Sequence, residues 1–311
     1  MTTETAIIER LRAVATDPAA RGLRDDVAVL GDLVLTHDSI AEGVHYFPAD
    51  PPASVGWKLV AVNLSDLAAK GAEPVAALLS LTLTGDEAWE TAFLTGVEAA
   101  CESYGLPLVG GDTIALSPGA PRVLGLTAIG RGGGSIPARG GGRPGDRLWL
   151  VGTVGDSAGG LAQLTQDTHA TGPLVDIYRR PVPLLAPGRA LAPHATAMMD
   201  VSDGLLIDLQ RLCEASGCGA EVRLDALPLS RAFIAERGQD RRARLFAATG
   251  GDDYALLAGL PAECDPLSLS LPEGTTVTRI GTLVAGGGLA LADAEGPVPL
   301  PEVLGHEHRS S

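Results

Sequence analysis

With 311 residues, 45% of them hydrophobic, the chain is long enough for one large domain or two ordinary ones, and two is the expectation. Its 40 glycines and 22 prolines fall in no repeat or low-complexity tract, which excludes a disordered or fibrous chain. A formal net charge of -15, with basic residues scattered singly, leaves no electrostatic footprint for nucleic acid or an anionic membrane.

Residues 4–15 place Ile7, Ile8, Leu11, Val14 and Ala15 at helical spacing, and Pro18 and Gly22 end the pattern. One short amphipathic helix is predicted, without the charged and apolar regions of a secretory leader. Apolar runs at 27–30 and 33–35, split by Gly31-Asp32, predict a hairpin whose second strand runs into Thr36-His37-Asp38. A helix is predicted over 54–70, with Ser54 as N-cap and Gly71 and Pro74 as its stop, and Asn63, Ser65 and Asp66 interrupt its apolar sequence. Strand 75–84, a helix over 86–104 capped by Asp86 and ending at Gly105, and strands 106–110 and 123–129 complete the first half. Residues 130–145 are too glycine-rich to pack as helix or strand and mark a boundary between units 1–138 and 139–311. The second half restarts with strand 147–151, a glycine-rich turn (GTVGDSAGG) leading into a helix, helices near 172–180 and 187–193, and strand 197–200. A helix over 202–216 that Asp203-Gly204 could cap, strands near 220–224 and 254–260, and a last hairpin near 277–291 follow. Alternating strands and helices make the fold class α/β or α+β.

The informative pattern is where aspartates fall. Asp25-Asp26, Asp38, Asp66, Asp112, Asp200, Asp203 and Asp252-Asp253 lie mostly at strand ends or glycine turns, where ligands of α/β folds collect. For any one of them, an Asx-turn or helix cap is the commoner role. Asp66, Asp112 and Asp200 stand apart because each sits in an apolar stretch, where an unpaired charge costs several kcal/mol. Magnesium, which takes one or two carboxylates plus phosphate oxygens, would remove that cost.

Other chemistries find no support. There is no G-x-x-x-x-G-K-[ST] loop, and the only lysines, Lys58 and Lys70, fall in a predicted helix. The match of 140–145 (GGGRPG) to G-x-G-x-x-G precedes a strand, and Pro144 would break the helix required. Protein-kinase motifs, a G-x-S-x-G elbow and H-E-x-x-H are missing. Cys101, Cys213, Cys218 and Cys264 form no C-x-x-C pair, so reduced, buried thiols are expected. No stretch has the roughly 18 consecutive apolar residues of a membrane span, and a cytoplasmic location is the default expectation.

Eight segments in order, RDDVAVL, LTHDSIAEGVHYF, AVNLSDLAAKGAEP, LVGGDT, RGGGRPGD, GTVGDSAGG, MMDVSDGLLIDL and TGGDDYALL, closely resemble the thiamine-monophosphate kinase family. That family belongs to the aminoimidazole-ribonucleotide-synthetase-like group of ATP-using enzymes, and the likeness spans nearly the whole chain. It implies two α/β domains, with N-terminal sheets pairing across a homodimer interface and a C-terminal domain closing the cleft. It implies several magnesium ions held by Asp26, Thr36, His37, Asp38, Asp66, Asp112, Asp200 and Asp203, of which Asp38, Asp66, Asp112 and Asp203 form the catalytic set. Gly111, Asp112, Arg139 and Ser202 correspond to nucleotide contacts, Arg139 being a phosphate clamp that orders on binding. His45, Asp252 and His306 correspond to substrate contacts. The implied reaction joins ATP and thiamine monophosphate to give thiamine diphosphate and ADP. The sequence departs from the family pattern at Leu23-Arg24, at His37 in place of threonine or serine, at Asp252 in place of glutamate, and at His306 in place of an aromatic. Two alternatives remain: another phosphorylated acceptor, as in aminoimidazole ribonucleotide or selenophosphate synthesis, and a non-catalytic metal-binding protein.

Overall fold

A computed structural model of the chain describes residues 4–117 and 119–307. The first half opens with α1 (Glu4–Arg12), followed by a 3-10 turn at Pro18–Leu23. β1 (Ala28–Leu30) and β2 (Leu33–Ala41) form the expected hairpin, with Leu30 opposite Leu33, and β2 continues through Asp38. α2 (Pro52–Ala69) starts before the predicted residue: Pro51 is its cap, and Ser54 lies in the first turn, its hydroxyl donating to the Pro51 carbonyl at 2.7 Å. β3 (Glu73–Leu83) and β4 (Leu108–Ala115) run parallel and are joined by α3 (Glu87–Tyr104). Asp86 caps α3 as predicted, accepting from the Trp89 amide at 3.1 Å, and Gly105 closes it in the left-handed conformation. β5 (Val123–Arg131) inserts between β2 and β3, which leaves β4 at an open edge of a five-stranded sheet ordered β1-β2-β5-β3-β4.

The second half contains β6 (Arg147–Val151), α4 (Asp156–Gln166), α5 (Pro173–Arg179), α6 (Leu185–Leu191), β7 (Ala197–Val201), α7 (Leu205–Ser216) and β8 (Gly219–Arg223). It continues through α8 (Arg231–Arg237), α9 (Arg241–Thr249), β9 (Ala255–Leu260), β10 (Val277–Val284), β11 (Gly288–Asp293) and β12 (Gly296–Val298). Helices α8 and α9 went unpredicted because 231–249 is rich in arginine and offers only a narrow apolar stripe. The expected hairpin near 277–291 is corrected. β10 and β11 do not pair, because β8 lies between them, antiparallel to β10 and parallel to β11. The turn glycines 286–288 carry the chain over the end of β8, where a Cβ on Gly219 would come within 2.8 Å of the Gly288 carbonyl.

β7 and β9 are buried at every residue. Met199 and Val201 face a core shared with α7 and α9, while Met198 faces one shared with Ala68 and Ala69 of α2 and with Leu191 of α6. This burial on both faces explains their apolar sequences, which Asp200 alone interrupts within these two strands. α2 is thereby clasped between the two halves. It crosses α3 so closely that a Cβ on Gly56 would fall 2.2 Å from the Phe93 carbonyl, and one on Gly96 would fall 1.9 Å from that of Ala53. No helix among the described residues is long and apolar enough to cross a membrane. The four cysteines are free, as expected, although only Cys213 and Cys218 are buried. Burial pushes the Cys213 thiol up to about 12, which keeps it unreactive.

Candidate active site

α2 carries the centre of the site. It is buried along most of its length, yet polar side chains at 58, 63, 65, 66 and 70 each meet a partner from another segment. Asn63, Asp66 and Lys70 recur at i, i+3 and i+7 and so share a face. On that face the Asp38 amide donates to Asn63 Oδ1 at 2.9 Å, and the Thr36 hydroxyl donates to Asp66 Oδ2. Lys70 Nζ lies 2.6 Å from Asp25 Oδ1 and 2.7 Å from Asp26 Oδ2, and donates to the Met198 carbonyl at 2.9 Å. Ser65, turned toward β7, donates to Asp200 Oδ2 at 2.6 Å. Asp26, Asp66 and Asp200 consequently present oxygens within 4.8 Å of one another.

Burial drives the Asp66 carboxyl well above the ordinary range, and Asp38, Asp200 and Asp26 push the same way. Burial and then Asp26 raise Asp200 to about 8, and burial raises Asp38 to about 6. Asp26 goes the other way: burial resists, but Lys70 and Arg139 hold it well below the usual carboxylate range. Hard oxygen donors gathered with too few cations are what a divalent ion such as magnesium relieves, so Asp26, Asp66 and Asp200 fit that ion.

A pH dependence follows. Asp38 and Asp200 have raised folded-state values, so their contribution to stability is present below the ordinary carboxylate range and lost as pH rises through about 6 and about 8. Asp208, raised to about 7, acts in the same direction. Thermal unfolding in a chelator should therefore occur at progressively lower temperature between roughly pH 5.5 and 8.5, and saturating magnesium should flatten that slope. A midpoint that rises with pH in the chelator would contradict the assignment.

Asp208 was not singled out from sequence, yet it builds the 202–204 loop. Its Oδ2 accepts the amides of Ser202, Asp203 and Gly204 at 3.1, 3.0 and 3.1 Å, and Arg211 bonds its Oδ1 at 2.9 Å. The expectation that Asp203-Gly204 caps α7 is corrected: Gly204 occupies the cap position with no side-chain bond, and Asp208 satisfies the amides from inside the first turn. Asp203 pairs instead with Arg211. The Ser202 carbonyl accepts the Asp252 amide at 2.7 Å, and the Asp203 carbonyl accepts that of His306 at 2.9 Å. Asp252 is bound by Lys58 Nζ at 2.8 Å, and the His45 carbonyl accepts from the same ammonium at 3.0 Å.

Other expected residues lie elsewhere. Gly111 and Asp112 sit on β4, which is exposed along its whole length, outside the carboxylate cluster. The His37 ring bonds Thr127 and Ser39, whereas Thr36 and Asp38, its neighbours on β2, fall on the other face of the strand. Arg139, expected to order only on binding, is already ion-paired with Asp26. Lys58, Lys70, Asn63 and Ser65 were not assigned roles from sequence. Their signal was polarity within an apolar helix, already noted for Asn63 and Ser65. A cleft of about 700 Å³ lined by Arg223, Arg279 and Pro297 lies on the second sheet and contains none of these residues.

Two packed α/β halves, with carboxylates from several chain segments gathered along one buried helix, define the AIR synthase related class. Its N-terminal domain model matches residues 24–132 and its C-terminal domain model matches 143–294. The thiamine-monophosphate kinase of Salmonella typhimurium is 39% identical over 270 residues, covering 81% of this chain and 80% of that protein. The same enzyme of Caulobacter vibrioides is 37% identical over 306 residues, covering 94% and 86%. A solved structure described as AaThiL complexed with AMPPCP and TMP superposes with a TM-score of 0.85 at 30% identity, covering 99% of this chain and 97% of that one. The chain belongs to the thiamine-monophosphate kinase family.

Proposed function

We propose that this protein transfers the terminal phosphoryl group of ATP to the phosphate of thiamine monophosphate, yielding thiamine diphosphate and ADP. The observation that carries the reading is the convergence of Asp26, Asp66 and Asp200, with Asp38 beside them, where Lys70 and Arg139 both pair with Asp26. A triphosphate and a monophosphate repel, and a cleft already rich in carboxylates receives them only with cations between. Asp26, Asp66 and Asp200 would hold magnesium, which supplies charge neutralisation and a template for phosphate oxygens when bound. Thr36, Ser65 and Lys70 fix the orientation of those carboxylates. Arg139, next to Asp26, is placed to meet a nucleotide phosphate, and the Asp208-braced loop presents Ser202 and Asp203. The acceptor phosphate is ionised at neutral pH, so in-line attack needs no general base from the protein.

Leu108, Val109 and Ile114 are exposed on the open edge strand β4, which favours a homodimer paired through that edge. The gap between the two sheets supports a boundary near residues 138 and 139, and the need for ATP favours a cytoplasmic location. Product analysis after incubation with ATP, magnesium and thiamine monophosphate should give thiamine diphosphate and ADP in equal amounts. ATP consumption only with a different phosphorylated acceptor would overturn the choice of substrate. Tight divalent binding with no nucleotide heat in calorimetry would favour the non-catalytic alternative.

A further inference from the structure

Lys58 has 2% of its side chain exposed, and a buried ammonium persists only where its protons are taken up. Here they meet Asp252 Oδ2 at 2.8 Å, the His45 carbonyl at 3.0 Å and the face of Tyr178, whose centroid is 3.8 Å away. Tyr178 also donates its hydroxyl to the His45 carbonyl at 3.1 Å. Asp252 is held at both oxygens, since Tyr254 donates to Oδ1 at 2.8 Å. The backbone there is strained: Asp252 and Tyr254 have φ of 66° and 53°, left-handed values that favour glycine. Amide bonds from Asp252 to the Ser202 carbonyl at 2.7 Å and from Tyr254 to that of Val201 at 2.8 Å hold this conformation beside the 202–204 loop. One lysine thus ties α2 to the 252–254 turn, α5 and the loop after β2, and none of these contacts involves the carboxylate cluster.

We propose that Lys58 is a positioning residue for the acceptor substrate, aiming the Asp252 carboxylate and the His45 segment at the organic portion of the acceptor and not at its phosphate. This rests on the reading that Asp252 and His45 meet the acceptor. Each carboxylate oxygen of Asp252 retains a second lone-pair direction, so the pair of bonds from Lys58 and Tyr254 orients the group without saturating it. The ligand chemistry it suits is a ring-borne N–H donor, which needs a fixed anionic acceptor.

The test is steady-state kinetics on Lys58→Met, Lys58→Arg, Asp252→Asn and the Lys58→Met/Asp252→Asn double variant, with folding checked by circular dichroism. Lys58→Met should raise KM for thiamine monophosphate about tenfold while KM for ATP stays within about twofold. Lys58→Arg should recover part of that loss. In the Asp252→Asn background the same lysine change should add no more than about twofold, since the group it positions is gone. Should Lys58→Met fail to fold because it leaves the part-buried Asp252 carboxylate without its cation, the comparison of Asp252→Asn with the double variant still decides. A full tenfold increment in that background, an unchanged KM for thiamine monophosphate, or an equal rise in both KM values would overturn the role. Wild-type protein that makes no thiamine diphosphate would overturn the acceptor reading, and this assignment with it.

Discussion

Replacing Asp66 with asparagine should reduce kcat by about a thousandfold while leaving the fold intact. The two halves of that expectation have one cause. In the ion-free protein, burial and three neighbouring carboxylates favour the protonated, neutral form of Asp66, and Thr36 donates to its Oδ2. Asparagine has nearly the same shape and is neutral at every pH, so its side-chain oxygen can accept the Thr36 bond and the local repulsion falls. Unfolding in a chelator at alkaline pH should therefore occur at equal or higher temperature than in wild type. Once phosphates and divalent ions occupy the cleft, the missing negative charge is felt directly, because asparagine cannot supply an anionic oxygen. The stabilisation that magnesium gives wild type should shrink in the variant, as linkage requires when the folded state binds the ion more weakly. Unaltered turnover would remove Asp66 from the site.

Sequence and structure agree where the signal is local. The hairpin at Gly31-Asp32, the Asp86 cap and the Gly105 stop are set by neighbours in the chain, and each formed as expected. A carboxylate inside an apolar run singled out Asp66, Asp112 and Asp200, of which Asp66 and Asp200 join the buried cluster and Asp112 lies on an exposed edge strand, while Asp26 came from the resemblance. Roles fixed by distant partners were not legible. Lys70 reads as an ordinary helix-end lysine until the chain brings Asp25, Asp26 and the Met198 carbonyl to it. Asp208 reads as one more acid on a helix until the 202–204 loop folds back over it. The order of β8, β10 and β11 failed for the same reason, since glycines 286–288 suit a hairpin turn as well as a crossing over an intervening strand. The resemblance supplied Asp112 as a ligand, but family motifs carry no statement of which subunit provides a residue.

That last point yields the sharpest expectation. Asp38, Leu126, Leu79 and Gly111 lie in one row across the first sheet, so β5 and β3 separate β2 from β4. At about 4.8 Å per strand, Asp112 stands roughly 14 Å from Asp38, too far to share an ion within one chain. Asp112 can share an ion with Asp38 only if the β4 edge of a second copy brings it to the partner's cluster. In that arrangement a heterodimer of Asp66→Asn and Asp112→Asn subunits contains one site carrying both lesions and one carrying neither. Each variant alone should retain about a thousandth of wild-type activity. Co-expressed or refolded together, about half the dimers would be mixed and each would hold one intact site, so about a quarter of wild-type activity should return. Separating the mixed dimer with two affinity tags should raise the figure to about half. Recovery would place Asp112 in the partner's site and establish the homodimer as the working unit, whereas no recovery in the purified mixed dimer would confine Asp112 to its own chain and to a different ion from Asp38.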